Sequence, residues 1–220
     1  NPGLAIPLIA LQYHEVKLNV KFNTLASDIG VCMYCDYIYL DTDERRRFAQ
    51  TSHEYLIEQV QSSLANCVTG CANNKVTLHF NHPVKELVWF DSTTNAANWS
   101  YNAATQALWT NDLGNTGLLR LNGHERFTAR HHTYFRDCQR YQHHTGAKSV
   151  PKIVATPESY NSIYVYSFAL QPEEHQPSGT CNMSRIDNAV LEVSGSCDVY
   201  AVNYNVLRIM SGMGGLAYSN

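Results

Sequence analysis

The sequence lacks any run of about 18 consecutive apolar residues, the length that a membrane-spanning helix requires. It also lacks an excess of positive charge, since 16 Lys and Arg are set against 19 Asp and Glu and give a formal net charge of −3 at pH 7. Without a basic surplus there is no general electrostatic attraction to nucleic acid. We therefore expect neither a membrane span nor direct contact with nucleic acid.

The beginning of the chain lacks the features of a secretory signal. Residues 1–14, NPGLAIPLIALQYH, are largely apolar, but they carry no basic leader and Pro7 interrupts them. A signal peptide would start with positive charge and continue into a longer apolar stretch. The chain also begins with Asn1 and not with Met. We expect a mature product, or the later part of a longer polypeptide.

An even number of cysteines is lacking: the count of seven is odd, so at least one thiol has no partner within the chain. The spacings Cys32-x2-Cys35 and Cys67-x3-Cys71 match two halves of a zinc site. The strand-like pattern around Cys32 and Cys35 would, however, send them to opposite faces. A disulfide between Cys67 and Cys71 is a second alternative. We favour ordinary thiols and expect no metal site.

Recognisable catalytic motifs are also missing. None of the ten histidines stands in the His-Glu-x-x-His pattern of zinc proteases, and no Gly-x-Ser-x-Gly nucleophile turn occurs. The glycine-rich end SGMGGLAYSN has no lysine and no following helix, as a phosphate-binding loop would need. Asp41 and Asp43 could hold a divalent ion, but capping of a helix explains them without one. We expect a protein that is not an enzyme, with no catalytic residue and no cofactor.

Alternation of apolar and polar residues dominates the sequence. In residues 13–22, YHEVKLNVKF, the side chains of Val16, Leu18 and Val20 point one way and the polar residues point the other, the pattern of a half-buried antiparallel strand. Residues 162–170, SIYVYSFAL, are apolar on both faces, as expected for a strand covered on each side. Further strands are predicted at 33–40, 53–61, 75–80, 84–90, 117–121, 189–193 and 199–210. Eight or nine strands separated by turn residues predict an all-β, two-sheet sandwich.

Two helical segments are expected to interrupt the strands. Residues 41–50 have Asp41 as a candidate N-cap and acidic residues in the first turn. Residues 124–144 place aromatic and histidine side chains near one stripe and predict a longer helix. The segment 53–61 also fits a helix start, because Thr51 begins a capping-box pattern, and there we favour the strand.

The chain shows no internal repeat and no linker between domains. We therefore predict a single domain over 1–220, with insertions at roughly 92–116 and 124–150. The first insertion is a polar loop that carries aromatic side chains, which are Trp99, Tyr101 and Trp109. Such a loop suits an outward excursion that packs on a neighbour. It also fits an alternative function, a lectin-like jelly-roll module that binds glycans through these rings.

Residues 176–190, QPSGTCNMSRIDNAV, contain the most distinctive local pattern. A Pro-Ser-Gly turn follows one predicted strand, and the next strand starts near Ala189. We predict a buried or half-buried structural corner formed by Cys181, Arg185 and Asp187. Asn-Met-Ser in this stretch and Asn-Trp-Ser at residues 98–100 fit the glycan-acceptor pattern, and Asn98 is the better candidate because its loop looks exposed.

Six segments resemble the major capsid protein of the large nucleocytoplasmic DNA viruses. They are NPGLAIPLIALQYHEVKLNVKF, YLDTDERRRFAQTSHEYLIEQVQ, FNHPVKELVWF, LNGHERF, QPSGTCNMSRIDN and NYNVLRIMSGMGGLAYSN. These motifs are distributed over nearly the whole chain, so the resemblance is more specific than any single motif. The chain resembles the later half of that protein.

The resemblance implies a protein of two consecutive eight-stranded jelly rolls, three copies of which form a capsomer with a pseudo-hexagonal outline. This chain would hold the second roll, and the first would be absent. The implied function is that of a structural virion protein in an icosahedral capsid, assembled in the host cytoplasm. The implied partners are copies of itself in a homotrimer, neighbouring capsomers and minor capsid proteins.

Overall fold

The computed structural model describes residues 2–21, 30–63, 74–91, 116–146, 163–193 and 197–218. The chain divides into two compact units. One unit contains residues 1–57 and 206–219, and the other contains residues 58–205. None of the helices in the described ranges is long and apolar enough to cross a membrane.

Strands make up most of the regular structure, and they form two sheets. In chain order the strands are β1 His53–Ser63, β2 Asn74–Leu78, β3 Pro83–Asp91, β4 Thr116–Leu121, β5 His124–Glu125, β6 Arg130–His131, β7 Tyr164–Ser167, β8 Cys181–Asn182, β9 Ala189–Val193, β10 Cys197–Met210 and β11 Met213–Leu216. One sheet has the order β1-β10-β3-β7, with β11 joined to β10 and β8 joined to β3. The other has the order β2-β9-β4-β5, with β6 joined to β4. The predicted all-β class and its two antiparallel sheets are confirmed.

The main core lies within residues 58–205 and draws on both sheets. Strand β9 alternates between buried and half-buried positions, and its buried positions belong to the same cluster as alternate residues of β10. Aromatic rings fill the centre, where Trp89 meets Phe135 edge-on at 5.2 Å and stacks on Tyr164 at 6.1 Å between ring centroids. The four residues of β7 are buried, as the two-faced apolar pattern of its sequence predicts.

Strand β3 carries a β-bulge next to its start. Its pairing with β10 shifts register between Val202 and Asn203, which face Glu86 and Val84 respectively, so Lys85 is the extra residue. Side chains of a regular strand alternate between faces, so Val84 and Leu87 would lie on opposite sides. The bulge changes this alternation, and both residues join the same core cluster with no exposed surface.

The unit formed by 1–57 and 206–219 is built around a capped helix and a hairpin. Helix α1, Thr42–Gln50, begins where the Asp41 side chain accepts a hydrogen bond from the Thr42 N–H at 2.7 Å, as predicted. Strands β10 and β11 are joined by Ser211 and Gly212, whose φ angles of 53° and 81° suit the tight turn of a two-residue hairpin. A Cβ at Gly212 would lie 2.6 Å from the Tyr13 ring, so this position requires glycine.

Three predicted elements are wrong. The described part of 13–22 and the whole of 33–40 form no strand, and their side chains are almost entirely exposed. Alternation specifies an apolar face, but a strand also needs a hydrogen-bonding neighbour, which the described residues do not supply here. Residues 124–144 are not one long helix. Strands β5 and β6 pair with β4, and a π-helical turn, Tyr134–Cys138, leads into the short helix α2, Gln139–His143.

We predict that Leu191→Ala lowers the free energy of unfolding by about 2–5 kcal/mol, because Leu191 is 1% exposed at the centre of β9 and its removal leaves a cavity. Leu170→Ala is the matched control, since Leu170 is 73% exposed, and it should change stability by less than about 0.5 kcal/mol. Urea unfolding of both variants measures the difference. Equal losses would contradict this assignment of the core.

Candidate functional site

The predicted corner residues lie along the segment from the start of β8 to the residues just before β9. Cys181 opens β8 and is half-buried, while Arg185 and Asp187 are exposed around the end of a short 3-10 turn, Met183–Arg185. The predicted burial therefore applies to Cys181 and not to the two charged residues. Burial raises the pKa of the Cys181 thiol, which keeps it protonated and unreactive.

Polar contacts of Asn182 and Ser184 hold this corner. The Asn182 side chain accepts a hydrogen bond from the Ser184 N–H at 3.1 Å, and the Ser184 hydroxyl accepts one from the His82 N–H at 2.9 Å. His82 is buried with a φ of 67°, a left-handed conformation that needs local support. The corner thus secures the turn that precedes β3, although Asn182 and Ser184 were not among the residues proposed for it.

Several other candidate residues lie outside the described ranges. They are Cys67, Cys71, Asn98, Trp99, Tyr101 and Trp109. Among the residues that the structure does describe, no group of three or more His, Cys, Asp or Glu side chains is arranged to hold a metal ion.

A buried lysine is held at the bulge of β3. The Lys85 side chain is 4% exposed, and its ammonium group donates to Glu58 Oε1 and to the Pro172 carbonyl oxygen, both at 2.6 Å. The same ammonium lies 5.5 Å from the centre of the Tyr204 ring. The Lys85 carbonyl oxygen accepts hydrogen bonds from the N–H groups of Phe168 and Ala169. Lys85 therefore connects β1, β3 and the segment that follows β7.

The next residue of β3, Glu86, takes part in a second charged contact. His144 lies directly after α2, and its Nε2 is 2.9 Å from Glu86 Oε2 while its Nδ1 is 3.0 Å from Glu173 Oε1. The carboxylate of Glu86, followed by that of Glu173, raises the pKa of His144 above its ordinary value of 6.5. Hydrogen bonds from Thr145 lower the pKa of Glu173 below its ordinary value of 4.5. These contacts stabilise the imidazolium form of His144 relative to the neutral ring.

Sequence reasoning missed this charged cluster. The one local signal was a Lys-Glu pair inside the otherwise apolar strand sequence VKELVWF. The partners of Lys85, which are Glu58 and Pro172, lie 27 and 87 residues away along the chain. No sequence periodicity encodes contacts of that range.

Large apolar side chains are exposed across the unit formed by 1–57 and 206–219. The exposed fraction reaches 93% for Tyr34 and 91% for Tyr39. Others in the same unit are Leu4, Ile6, Leu8, Tyr13, Val16, Leu18, Val20, Val31, Met33, Tyr37, Ile38, Met210, Met213, Leu216 and Tyr218. In the described part of 58–205, comparable exposure is confined to Val60, Tyr141, Ile163 and Leu170. Exposed apolar surface of this kind is typical of protein–protein contact.

Comparison with known proteins gives a consistent result over the whole chain. Residues 44–215 match the family model described as large eukaryotic DNA virus major capsid protein, and residues 1–41 match a second model described as major capsid protein N-terminus. The chain is 52% identical over 247 residues to the major capsid protein of Pyramimonas orientalis virus, and 39% identical over 290 residues to that of Paramecium bursaria Chlorella virus 1. Both alignments include the whole chain.

These relatives are longer than the chain. The alignments cover 59% and 64% of them, so the chain spans about three fifths of their length. A solved structure, a quasi-atomic model of the PBCV-1 virus capsid, matches with a TM-score of 0.66 and 35% sequence identity. That match covers 84% of this chain and 56% of the solved chain.

We predict that Glu58→Gln lowers the free energy of unfolding by about 1.5–3 kcal/mol, because a buried ammonium loses its charged acceptor. Glu54→Gln is the control on the same strand, since the Glu54–Arg208 ion pair has half-exposed side chains and should contribute less than about 1 kcal/mol. Urea denaturation compares the two. A loss for Glu58→Gln no larger than that for Glu54→Gln would refute a structural role for the buried pair.

We also predict that Ser184→Ala destabilises the corner by about 0.5–1.5 kcal/mol, through loss of the acceptor for the His82 N–H. Arg185→Ala is the neighbouring control. Because Arg185 is exposed, this change should stay within about 0.5 kcal/mol of the unmodified chain. Thermal unfolding followed by circular dichroism measures both. A larger effect at Arg185 than at Ser184 would show that the charged residue holds the corner instead.

Proposed function

The chain belongs to the large eukaryotic DNA virus major capsid protein family, and we propose that it is a structural component of a virion. In this role it forms part of the subunit of an icosahedral shell and carries out no enzymatic reaction. The observation that carries the proposal is the family match over residues 44–215, together with 52% identity to a major capsid protein.

The proposed subunit is a double jelly roll in which this chain contributes chiefly to the second roll. Residues from 44 onward include the strands of both described sheets. Residues 1–41 match the N-terminal model, and we assign them to the end of the first roll. The single domain over 1–220 with its two insertions stays a prediction, and this assignment is proposed beside it.

The exposed apolar residues of this N-terminal stretch support that assignment. Val16, Leu18 and Val20 are exposed and alternate along a segment that has no strand partner among the described residues. An apolar face with this spacing suits a strand of a sandwich whose other strands come from additional capsid polypeptide. In the assembled subunit these side chains would be buried, which removes the exposed apolar surface.

The proposed partners are further copies of the protein. Three subunits would form a capsomer with a pseudo-hexagonal outline, and capsomers would contact one another and minor capsid proteins across the shell. The location is the virion, with assembly in the host cytoplasm. A double-sheet jelly roll suits this role, because it protects most strand edges from uncontrolled pairing.

Mass spectrometry of gradient-purified virus particles tests the proposal. Peptides from this chain should be among the most abundant in the particle, as required of a shell subunit. Absence of these peptides, or their presence only at trace levels, would reject the structural role.

A matched pair of variants, made in the full-length capsid protein of the virus, tests whether the N-terminal stretch is buried in the assembled subunit. Leu18→Asp should reduce the trimer yield strongly, because it introduces a charge on the apolar side of the segment. Asn19→Asp introduces the same charge on the polar side and should leave the yield unchanged. Size-exclusion chromatography with light scattering measures both, and equal yields would contradict the proposed packing.

A further inference from the structure

A histidine placed between two carboxylates connects three separate segments of the unit 58–205. Glu86 lies on β3, His144 directly follows α2, and Glu173 lies in the turn after β7. The His144 side chain is 19% exposed and that of Glu86 is 11% exposed, so the contact between them is largely shielded from solvent. Each ring nitrogen faces a carboxylate oxygen within 3.0 Å.

This arrangement suits only one protonation state of the ring. A neutral imidazole has one N–H donor, so its other nitrogen would present a lone pair to a carboxylate oxygen. The imidazolium donates from Nδ1 to Glu173, and its positive charge pairs with the Glu86 carboxylate beside Nε2. The contact between the segments therefore depends on a proton on His144.

The other ends of these segments are held by contacts that involve no titrating histidine. Near the start of α2, Gln139 Oε1 accepts a hydrogen bond from the Ser167 N–H of β7 at 3.1 Å. In the turn after β7, the Pro172 carbonyl oxygen accepts from Lys85 at 2.6 Å. The end of α2 is also held to this turn by His143, whose Nδ1 is 3.0 Å from the Leu170 carbonyl oxygen, and by Thr145, whose N–H donates to Glu173 at 2.9 Å. Loss of the proton from His144 would thus weaken the link between the end of α2 and Glu86 of β3, and it would leave these other contacts in place.

We propose that His144 is a proton-dependent clasp, which links the end of α2 and the turn at 168–173 to the central strand β3 when protonated and loses its hold on β3 when neutral. The clasp is a property of the folded chain and does not rest on the proposed capsid function.

The direction of the pH dependence follows from the groups that face the ring. The carboxylates of Glu86 and Glu173 raise the pKa of His144 above 6.5, so its stabilising contribution is complete below 6.5 and is lost as the pH rises through the raised pKa. The pKa of Glu173 is lowered below 4.5, so its contribution is lost only as the pH falls through that lowered value. The Tyr204 hydroxyl couples electrostatically with Glu86 and with Lys85, and Lys85 is itself paired with Glu58. The clasp is therefore strongest in mildly acidic solution.

Hydrogen exchange of the complete 220-residue chain, followed by mass spectrometry over mildly acidic to mildly alkaline pH, tests the clasp. After correction for intrinsic exchange rates, protection of the peptide that covers 139–146 should fall several-fold as the pH rises, whereas protection of β9 should stay constant. In His144→Gln this peptide should have low protection that no longer depends on pH. His175→Gln is the matched control, because His175 is an exposed residue that follows the same turn, and it should retain the behaviour of the unmodified chain.

Two results would overturn the clasp. One is protection of 139–146 that does not change with pH in the unmodified chain, and the other is an unchanged pH dependence in His144→Gln. If His144→Gln does not fold, nitrogen-15 NMR of the histidine rings in the unmodified chain decides the question. A histidine ring that stays protonated on both nitrogens above pH 6.5 supports the clasp. If the spectrum of the folded chain contains no such ring, the clasp is refuted.

Discussion

The burial of two successive charged residues in strand β3 is the constraint on which much of the structure depends. A charge removed from water must be paired and hydrogen-bonded, or its desolvation cost outweighs the packing around it. Lys85 meets this requirement with Glu58 of β1 and the Pro172 carbonyl oxygen. Glu86 is paired in charge with His144 after α2. The same strand supplies Leu87 and Trp89 to the aromatic and aliphatic core, so the polar contacts and the apolar core fix each other's position.

The sequence was most informative where local pattern and long-range packing agree. Strand β9 was predicted with its observed bounds, because its alternation matches a sheet that has one covered face. The Asp41 cap was predictable because a helix start is satisfied by its immediate neighbours. The charged cluster was not predictable, since Lys85 and Pro172 are far apart in the chain and meet only through the fold. Long-range contacts also decide whether a strand forms, so the alternation at Val16, Leu18 and Val20 did not produce one without a strand partner among the described residues.

The distribution of exposed apolar side chains agrees with the proposed role of the chain. Exposed large apolar side chains are concentrated in the unit that contains residues 1–57, where the sequence matches the N-terminal family model up to residue 41. In the unit 58–205, the core is closed and such side chains are few among the described residues. This contrast is expected of a shell subunit in which one part packs its own sandwich and another part meets further capsid polypeptide. The proposed clasp at His144 adds a response to pH within the unit 58–205, whereas the exposed apolar side chains are concentrated in the other unit.

Residue-resolved hydrogen exchange tests directly whether the sandwich depends on β3. Amides of Leu87 and Trp89 should exchange only through global unfolding, with a free energy equal to that obtained from urea denaturation of the same chain. Faster exchange at these two residues than at β9 would show that β3 opens locally while the rest of the sandwich remains folded. That result would contradict the account.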